Sequence, residues 1–542
     1  MKRSPKHRFD EESRKKFMSS PFYITTAISY PNGPPHIGHA YEAIATDAIA
    51  RFHRLSGRDV RFQTGTDEHG LKMAQTAAAK GVLPRELADE MSNLFSGMCE
   101  KLNISYDRFI RTTEAVHHKA SQAIWQAMDA NGDLYLDKYE GWYSIRDEAY
   151  YDESELIEAE GEGGSKEKLS PQGTPVEWTI EESWFFRLSK YQEPLLKLFK
   201  ENPGFLKPDS RRNEMIKFLE GGLNDLSISR TSFDWGVKVP GSENHVMYVW
   251  IDALTNYLTG LGYPEKTDYY PKYWSEGGDI THIIGKDIVR FHSIYWPAFL
   301  MSANLPLPKQ VFGHGFLLNR GQKMSKSVGN VVDPIALADA FGVDQLRYFL
   351  LSEVIFGKDG SYSAEMIVTK TNADLANNFG NLAQRSLSMI AKNCDGKVPE
   401  AGMKSDAEEQ LISELEDCFE RMTSIMESGE FPIHAAIDLL RERLSATNQY
   451  FADQAPWALR KTDPARADTV LYYTAESIRR LAIMLRWVIP ESCDKMLDLL
   501  AQDDDKRDFS HLNETIETGL ALPTPSGIFP RLEMPADLDT DA

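Results

Sequence analysis

Cysteine is scarce in this sequence, long apolar runs are absent, and positive charge is in deficit. The four cysteines among 542 residues lie far apart along the chain, at Cys99, Cys394, Cys418 and Cys493. This spacing argues against a disulfide framework and against a cysteine-based zinc site, and it fits the reducing cytoplasm. Because no run of 18 apolar residues occurs, a membrane span is not expected.

The net charge of −21 argues against a general nucleic-acid binder, which usually carries excess positive charge. It leaves room for a protein whose contacts with a nucleic acid are concentrated in a small area. The first residues are charged throughout and contain no apolar segment of the kind found in secretory signals. We expect residues 1–20 to be a flexible tail of a cytoplasmic protein.

The opening motif of the fold is a strand, a tight turn and a helix. Phe22–Thr26 has the composition of a strand, and Ala40–Leu55 has apolar residues at helical spacing. Prolines and a glycine break regular structure between them, so His36 and His39 stand at a helix start, where free N–H groups favour an anion. From these residues alone, nucleotide binding and simple helix capping by the two histidines are equally supported.

Two further predicted strands repeat this arrangement. The strand Asp59–Thr64 runs into a polar turn that contains Asp67 and His69, and Asp279–Ile284 runs into Gly285-Lys286-Asp287. Polar residues at the carboxyl ends of parallel strands mark the ligand edge of an open α/β sheet. We therefore expect Asp67 and His69 to face the same crevice as the two histidines. A fourth strand is predicted over Val246–Trp250, followed by a helix.

Changes in composition divide the chain into seven parts. The predicted fold is α/β, a split Rossmann-like parallel sheet interrupted by a small inserted domain and followed by an α-helical bundle. The parts are the tail 1–20, the first half of the sheet 21–133, the inserted domain 134–207, the second half 208–310, a region 311–370, a helical domain 371–533 and an acidic tail 534–542.

Two short signatures carry a resemblance to a known family. They are His36-Ile37-Gly38-His39 and Lys323-Met324-Ser325-Lys326-Ser327, and with them the chain resembles the class I aminoacyl-tRNA synthetases. Further segments narrow the resemblance to the methionyl-tRNA synthetase family over roughly residues 21 to 533. They are Ala27-Ile28-Ser29-Tyr30, Gly65-Thr66-Asp67-Glu68-His69-Gly70, Tyr248-Val249-Trp250-Ile251-Asp252-Ala253, Gly285-Lys286-Asp287-Ile288-Val289, Phe291-His292-Ser293 and Ala455-Pro456-Trp457. The resemblance implies that both halves of the sheet are catalytic, that 311–370 is a stem-contact region and that the helical domain binds the anticodon.

The resemblance implies an ATP site built from both signatures. Its implied catalytic residues are His36, His39, Lys323 and Lys326, which stabilise charge on the phosphates and on the departing diphosphate. The implied ATP-binding residues are His36, Gly38, His39, Asp287, Lys323, Ser325 and Lys326, and ATP implies Mg²⁺ as its counterion. Without the first signature, the paired lysines would be interpreted as solvated surface.

The resemblance also implies a methionine pocket. Its residues are Ala27, Ile28, Tyr30, Asp67, Trp250, Tyr257 and His292, with Asp67 on the substrate ammonium. Taken alone, Trp250 on an apolar strand would be assigned to the core. Leu254 stands where many relatives carry proline, so the pocket shape there is an open point. For Arg230, a role on the substrate side of the site and a structural salt bridge remain equally supported.

In the helical domain the resemblance implies anticodon contacts by Asn381, Arg385 and Trp457. Polar groups that bond base edges and a ring that stacks suit an unpaired base, whereas core packing is the other interpretation of Trp457. Four further cations are either phosphate contacts or a solvated face: Arg441, Arg443, Arg460 and Lys461. No appended domain of the kind that some relatives use to dimerise follows Glu533, so we expect a monomer.

The implied activity is that of a methionine–tRNA ligase with methionine, ATP and tRNA(Met) as substrates and no membrane partner. Two alternatives remain, a class I synthetase for another apolar amino acid such as leucine and a catalytically silent tRNA-binding protein. The first usually needs a large editing insertion, for which 134–207 is too short. The second is disfavoured because both signatures are intact.

The inserted domain departs from many relatives, which carry zinc there. Residues 119–244 contain neither cysteine nor histidine, so the usual ligands of a structural zinc are missing. We predict that the purified protein contains no structural zinc. Metal analysis by plasma mass spectrometry checks this, and one zinc per chain that resists dialysis would contradict it.

Overall fold

The computed structural model describes residues 20–147, 149–160, 166–267, 269–275, 278–319, 321–324 and 331–535. Within these ranges, none of the helices is both long and apolar enough to cross a lipid bilayer. The predicted tails lie almost wholly outside the described residues.

The first part of the chain alternates strands with helices, as the sequence predicts. Its elements are β1 (Phe22–Thr26), α1 (Ile37–Leu55), β2 (Val60–Thr66), α2 (Leu71–Lys80), α3 (Pro84–Lys101), β3 (Arg108–Arg111) and α4 (Ala115–Ala130). Every residue of β1 is buried, as expected for a strand of a parallel sheet that is covered on both faces.

The middle of the chain builds smaller antiparallel sheets. Its elements are β4 (Leu134–Ser144), β5 (Ala149–Tyr151), β6 (Ile157–Glu160), β7 (Lys166–Leu169), β8 (Glu177–Phe186), α5 (Gln192–Glu201), β9 (Leu206–Lys207), α6 (Asp209–Glu220), β10 (Leu226–Ser227), β11 (Ser229–Arg230), β12 (Lys238–Val239) and β13 (Ser242–Met247). One sheet has the order β10-β8-β4-β5, another has the order β11-β13-β12, and β6 pairs with β7. The sheet of the inserted domain therefore includes β10, which comes well after residue 207.

The chain then returns to the central sheet. The next elements are α7 (Val249–Thr259), α8 (Tyr269–Tyr273), β14 (Asp279–Gly285), α9 (Trp296–Ser302), β15 (Gln310–His314), β16 (Leu317–Asn319), β17 (Gln322–Lys323), α10 (Pro334–Phe341), α11 (Val343–Glu353) and β18 (Gly360–Tyr362). The last three strands form a small sheet in the order β17-β16-β18.

The central sheet has the strand order β3-β2-β1-β14-β15-β9, and all of its strands are parallel. Phe22 of β1 pairs with Val60 on one side and with Asp279 on the other. The strand order changes direction at β1, and ligands bind open α/β sheets at such a point. The predicted split Rossmann-like fold is confirmed.

The predicted strand over Val246–Trp250 is wrong in its second half. The strand β13 ends at Met247, and Val249 and Trp250 begin the helix α7. β13 also pairs antiparallel with β11 and β12 and lies outside the central sheet. A short apolar run does not distinguish a strand from a buried helix by its periodicity, which explains the error.

The C-terminal part is helical, as predicted. Its helices are α12 (Ala364–Thr371), α13 (Asn381–Asn393), α14 (Asp406–Met426), α15 (Ile433–Gln454), α16 (Pro456–Thr462), α17 (Pro464–Leu485) and α18 (Pro490–Leu499). After them come two short 3-10 helices, Asp504–Lys506 and Phe509–His511, and the rest of the chain that the structure describes, up to residue 535, packs back on the bundle without a further helix or strand. The Leu532 backbone bonds the Asn372 side chain at 2.8 and 2.9 Å, and the Phe529 ring lies 5.9 Å from that of Phe379.

A buried ion pair joins the sheet to the bundle. Arg347 of α11 donates to Asp47 of α1 at 2.7 Å and to the carbonyl of Val488 at 3.0 Å. Neither side chain of the pair is exposed. Burial alone raises the pKa of Asp47, but Arg347 and Arg51 outweigh that effect and hold this pKa below its usual range. The carboxylate is therefore ionised and depends on its partners.

We predict that Arg347→Met lowers the free energy of unfolding by about 3–5 kcal/mol, because it leaves the Asp47 charge buried with one guanidinium fewer. Denaturant unfolding followed by circular dichroism measures the change. Lys495→Met is the matched control, since Lys495 and Glu491 form an exposed pair worth less than about 1 kcal/mol. Equal losses in the two variants would contradict the assignment.

Candidate active site

A cavity of about 430 Å³ opens at the carboxyl ends of β1, β2 and β14. All seven residues that the resemblance assigns to methionine line it: Ala27, Ile28, Tyr30, Asp67, Trp250, Tyr257 and His292. His39 and Asp287, which belong to the group assigned to ATP, line the same cavity. The fold thus brings together residues that are up to about half the chain apart.

One wall of the cavity is aromatic. The rings of Trp250 and Phe291 stack with centroids 3.7 Å apart and planes 7° apart. The ring of His292 meets Trp250 edge-on at 6.1 Å. Among the described residues, none makes a hydrogen bond to the buried indole Nε1 of Trp250. The indole therefore offers this wall apolar surface, and Trp250 is not a core residue of a strand.

The deep end of the cavity is polar but uncharged. His292 Nδ1 donates to the carbonyl of Ile288 at 3.0 Å, so its Nε2 accepts from the Tyr257 hydroxyl at 2.8 Å. Burial lowers the pKa of His292 to about 4 and raises that of Tyr257 well above its usual value. Both side chains are neutral at pH 7, and such a surface suits a thioether.

The opposite end is anionic. Asp67 follows β2 directly and is 7% exposed, and its backbone N–H donates to the carbonyl of Ser29 at 2.8 Å. The neighbouring Tyr30 hydroxyl accepts from the backbone of Met73 at 3.0 Å. These backbone contacts hold the turn after β2 against the segment after β1. A nearly buried carboxylate beside an apolar wall fits the ammonium group of an amino acid.

His69 does not share the crevice, contrary to the expectation from the sequence. It is buried, it does not line the cavity, and its Nδ1 lies 2.6 Å from Asp252 Oδ2 of α7. The preceding residue, Glu68, is also buried and accepts from Arg111 at 2.7 and 3.0 Å. Asp67 is thus followed by two buried, hydrogen-bonded residues.

The two signature histidines cap α1 reciprocally. His36 Nδ1 accepts from the backbone of Gly38, and His39 Nδ1 accepts from the backbone of His36, both at 3.1 Å. The two rings stack with centroids 3.8 Å apart. A neutral ring whose Nδ1 accepts carries its proton on Nε2. Capping and ligand binding are therefore compatible, because each cap fixes an Nε2–H donor; of the two rings, only that of His39 lines the cavity.

Gly38 is required by this close packing. A Cβ atom at position 38 would lie 2.9 Å from Cε1 of the His36 ring, so a side chain there would displace the capping ring. Gly38 itself does not line the cavity. Its role in the geometry is to leave room for the histidine cap.

Glu42, one turn after His39, lines the cavity beside a histidine cation. His314 Nε2 lies 2.8 Å from Glu42 Oε2, and His314 Nδ1 lies 2.8 Å from the carbonyl of Gly315. Both oxygens are acceptors, so both ring nitrogens carry protons. Burial lowers the pKa of His314, but the bond to Glu42 outweighs it and raises this pKa. The pair thus offsets the charge of Glu42.

The lysine signature lies partly outside the described residues. Lys323 ends β17, which pairs with β16, and the structure describes it by its backbone alone. Ser325 and Lys326 lie outside the described residues. The small sheet that carries Lys323 is tied to the part of the cavity that Asp287 lines, since Lys286, next to Asp287, lies 2.7 Å from Asp359, which precedes β18.

Arg230 lines a second, larger cavity of about 750 Å³. It is 2% exposed and donates to the Ser227 hydroxyl at 2.9 Å and to the carbonyl of Ser229 at 2.7 Å. Its guanidinium also lies 4.8 Å from the Tyr248 ring centroid. This second cavity shares the lining residues Gln172, Asp287 and Phe291 with the first. Arg230 therefore adjoins the first cavity without lining it.

The three residues assigned to the anticodon lie on the helical bundle. Asn381 and Arg385 are exposed on α13, and Trp457 is 44% exposed. The Arg385 guanidinium lies 5.4 Å from the Trp457 ring and 5.2 Å from the ring of Phe451. An exposed indole beside an arginine is a surface on which an unpaired base stacks. Core packing does not describe Trp457.

The other cations singled out in this region are mostly paired. Arg441 bonds Asp438 at 3.0 Å, Arg443 bonds Glu414, and Arg460 bonds Asp468. These pairs lower the charge available to a phosphate. Within the described ranges, no group of three or more histidine, cysteine, aspartate or glutamate side chains is arranged to hold a metal ion.

Sequence reasoning missed several residues of the cavity. Phe291, which stacks on Trp250, stands next to His292 in a segment that resembles the family, so that neighbour was the available signal. Glu42 follows His39 by one helical turn, and that spacing places the two on one face of α1. Asn32, Lys72 and Gln172 also line the cavity, and no local pattern distinguishes them.

Comparisons with known proteins agree with this geometry. Residues 22–387 match the family described as tRNA synthetases class I (M), and residues 398–538 match the anticodon binding domain of methionyl tRNA ligase. Proteins named methionine–tRNA ligase from Brucella suis and Rhizobium meliloti are 60% and 58% identical, over 94% and 95% of this chain and 98% and 99% of theirs.

A solved structure of similar fold is Mycobacterium tuberculosis methionyl-tRNA synthetase in complex with methionyl-adenylate. It is 56% identical, with a TM-score of 0.91 over 94% of this chain and 100% of the other. The match extends over the sheet, the inserted domain and the bundle. The chain therefore belongs to the methionyl-tRNA synthetases, a family of class I aminoacyl-tRNA synthetases.

Proposed function

We propose that this chain is a methionine–tRNA ligase whose active site is the cavity at the carboxyl ends of β1, β2 and β14. A carboxylate oxygen of methionine attacks the α-phosphorus of ATP, diphosphate leaves, and methionyl-adenylate forms. The 3′-terminal ribose of tRNA(Met) then attacks the activated carbonyl, and AMP leaves. The observation that carries the assignment is the meeting of a nearly buried carboxylate, a neutral aromatic wall and a histidine-capped helix start at one cavity.

The amino acid lies between Asp67 and the aromatic wall. The Asp67 carboxylate binds the ammonium group, while Trp250, Tyr257 and His292 surround the thioether. Ala27, Ile28 and Tyr30 complete the pocket. The support for methionine as the substrate comes from Tyr257 and His292. These side chains are polar enough to contact a sulfur atom and are uncharged at pH 7.

ATP lies at the start of α1. His39 and His36 direct Nε2–H donors toward the phosphates, and Asp287 accepts from the nucleotide ribose. Gly38, also assigned to ATP binding, leaves the space that the capping ring of His36 occupies. Charge on the departing diphosphate is stabilised by the lysine signature, with Lys326 as the main contributor and Lys323 and Ser325 beside it.

The bundle binds the anticodon of tRNA(Met) through Asn381, Arg385 and Trp457. Trp457 stacks on an unpaired base, and the two polar side chains bond base edges. We further propose that ATP is used as its Mg²⁺ complex, that the inserted domain holds no zinc, and that the enzyme acts as a cytoplasmic monomer. The domain bounds given by the sequence are kept as part of this proposal, except that β9 belongs to the central sheet and β10 to the sheet of the inserted domain.

We predict that exchange of labelled diphosphate into ATP depends on methionine and on none of the other nineteen amino acids. Lys326→Ala lowers the exchange rate roughly 10²–10³-fold, because one charge-stabilising donor in a transition state is worth about 3–4 kcal/mol. The assay is run with all twenty amino acids at saturating ATP.

A matched control is Lys495→Ala, a lysine on the bundle surface, for which the exchange rate should not change. Exchange that responds to leucine and not to methionine would replace the specificity assignment with another apolar amino acid. No exchange with any amino acid would favour a silent tRNA-binding protein.

We predict an alkaline rise in the KM for ATP. The pKa of His314 is raised by Glu42, so the cation is present below that pKa and is lost as pH rises through it, which leaves the charge of Glu42 uncompensated beside the phosphates. His314→Gln raises the KM for ATP roughly fivefold at neutral pH, about 1 kcal/mol, and flattens the profile.

The measurement is the KM for ATP in the exchange assay between about pH 6 and pH 9. His511→Gln is the control, because His511 lies near the C-terminus and pairs with Asp508; its profile should match the parent enzyme. A parent profile without an alkaline limb, or one that His314→Gln leaves unaltered, contradicts the proposed charge balance.

A further inference from the structure

A fully buried carboxylate with two histidine partners lies behind the methionine wall. Asp252 of α7 is 0% exposed. His69 Nδ1 lies 2.6 Å from one of its oxygens and His117 Nε2 lies 2.6 Å from the other. Because a carboxylate accepts, both ring nitrogens donate. The two histidines come from the turn after β2 and from α4, so one side chain joins three elements.

The surroundings of this group are specific. His117 also contacts the Thr259 hydroxyl at 3.0 Å and the Ser121 hydroxyl at 3.3 Å. The rings of His118 and Trp235 pack edge-on against His69 at 5.2 and 5.4 Å. Burial lowers the pKa of His118 to about 4, so this neighbour is neutral at pH 7. The cluster is enclosed on every side and does not line the methionine cavity.

The two faces of α7 serve different purposes. Trp250, Ala253, Leu254 and Tyr257 line the cavity at helical spacing, whereas Asp252 faces the histidines. A second link binds the same helix to β2, since Gln63 Nε2 donates to Asn256 Oδ1 at 2.8 Å. A Cβ atom at Gly260 would lie 1.4 Å from Gln63 Oε1, so the fit there is tight. The contacts of Gln63 therefore fix the distance between α7 and β2.

The turn that carries His69 also carries Asp67. A single residue, Glu68, therefore separates the proposed ammonium ligand Asp67 from the histidine that Asp252 holds. A series of contacts therefore sets the spacing between Asp67 and the cavity wall formed by α7. It leads from Asp67 along the turn to His69, and from His69 to Asp252 of α7. A change in these contacts would move the wall formed by α7 relative to Asp67, the proposed ligand of the substrate ammonium.

We propose that Asp252 is a positioning residue that, through His69 and His117, sets the length of amino-acid side chain that the methionine pocket accepts. The inference rests on the proposed function of that pocket. Asp252 touches no substrate atom, and it acts by holding α7 at a fixed distance from Asp67. Loss of either hydrogen bond lets the wall recede and admits a longer side chain.

The test compares methionine with ethionine, which is longer by one methylene, in the diphosphate exchange assay. Asp252→Asn raises the KM for methionine roughly 10-fold and leaves the KM for ATP within about twofold. The ratio of kcat/KM for methionine to that for ethionine falls roughly fivefold or more, since one methylene is worth about 10–200-fold in a fitted pocket.

Two variants at position 69 test the hydrogen bond itself. The amide of Asn places its NH₂ group near the position of histidine Nδ1, so His69→Asn keeps much of the parent selectivity, while His69→Leu loses it. Asp133→Asn is the matched control for stability, because Asp133 is another fully buried carboxylate, bonded to Ser302 at 2.7 Å and remote from the pocket. It should lower the melting temperature without changing selectivity.

The outcomes separate the two proposals. If the parent enzyme shows no exchange with methionine, the proposed function fails. If the parent enzyme is active but a folded Asp252→Asn variant keeps its selectivity, or if the KM values for methionine and ATP rise together, only the positioning role is overturned. If Asp252→Asn does not fold, the two variants at position 69 replace it in the test. Equal selectivity in His69→Leu and His69→Asn would then overturn the positioning role.

Discussion

The pairing of β1 with both β2 and β14 is the constraint on which the rest of the structure depends. β14 begins more than two hundred residues after β2 ends, yet Phe22 pairs with Val60 and with Asp279. Only this arrangement brings three carboxyl ends to one edge, where Ala27, Asp67 and Asp287 meet. The inserted domain and the bundle are built around that edge, and Arg347 joins the bundle to the sheet because it bonds both the carbonyl of Val488 in the bundle and Asp47 of α1.

The sequence was informative where the physics is local. The strand β1, the helix α1 and the histidine cap between them follow from composition, helical spacing and chain-breaking residues. The assignment of seven residues to one pocket came from family resemblance, and no local rule produces it. Trp250 illustrates the difference, because apolar periodicity alone placed it in a strand of the core.

The rest depends on contacts between distant residues. His69 carries the same local signal as Asp67, a polar side chain after a strand, and only the partner Asp252 from α7 determines that it is directed inward. The same holds for His314, whose double protonation follows from Glu42 more than two hundred residues earlier. Sequence spacing contains no information about which of two adjacent polar residues meets such a partner.

The reciprocal histidine cap has an evolutionary consequence. The Nδ1 atoms that complete the first turn of α1 belong to the same rings whose Nε2 atoms we propose to bind the nucleotide. A shorter side chain that still accepts from the backbone keeps the cap but loses the Nε2–H donor. A side chain that donates but has no acceptor at the Nδ1 position leaves the first turn of α1 without its cap. Selection for folding and selection for ligand binding therefore act on one pair of side chains, and neither can be relaxed alone.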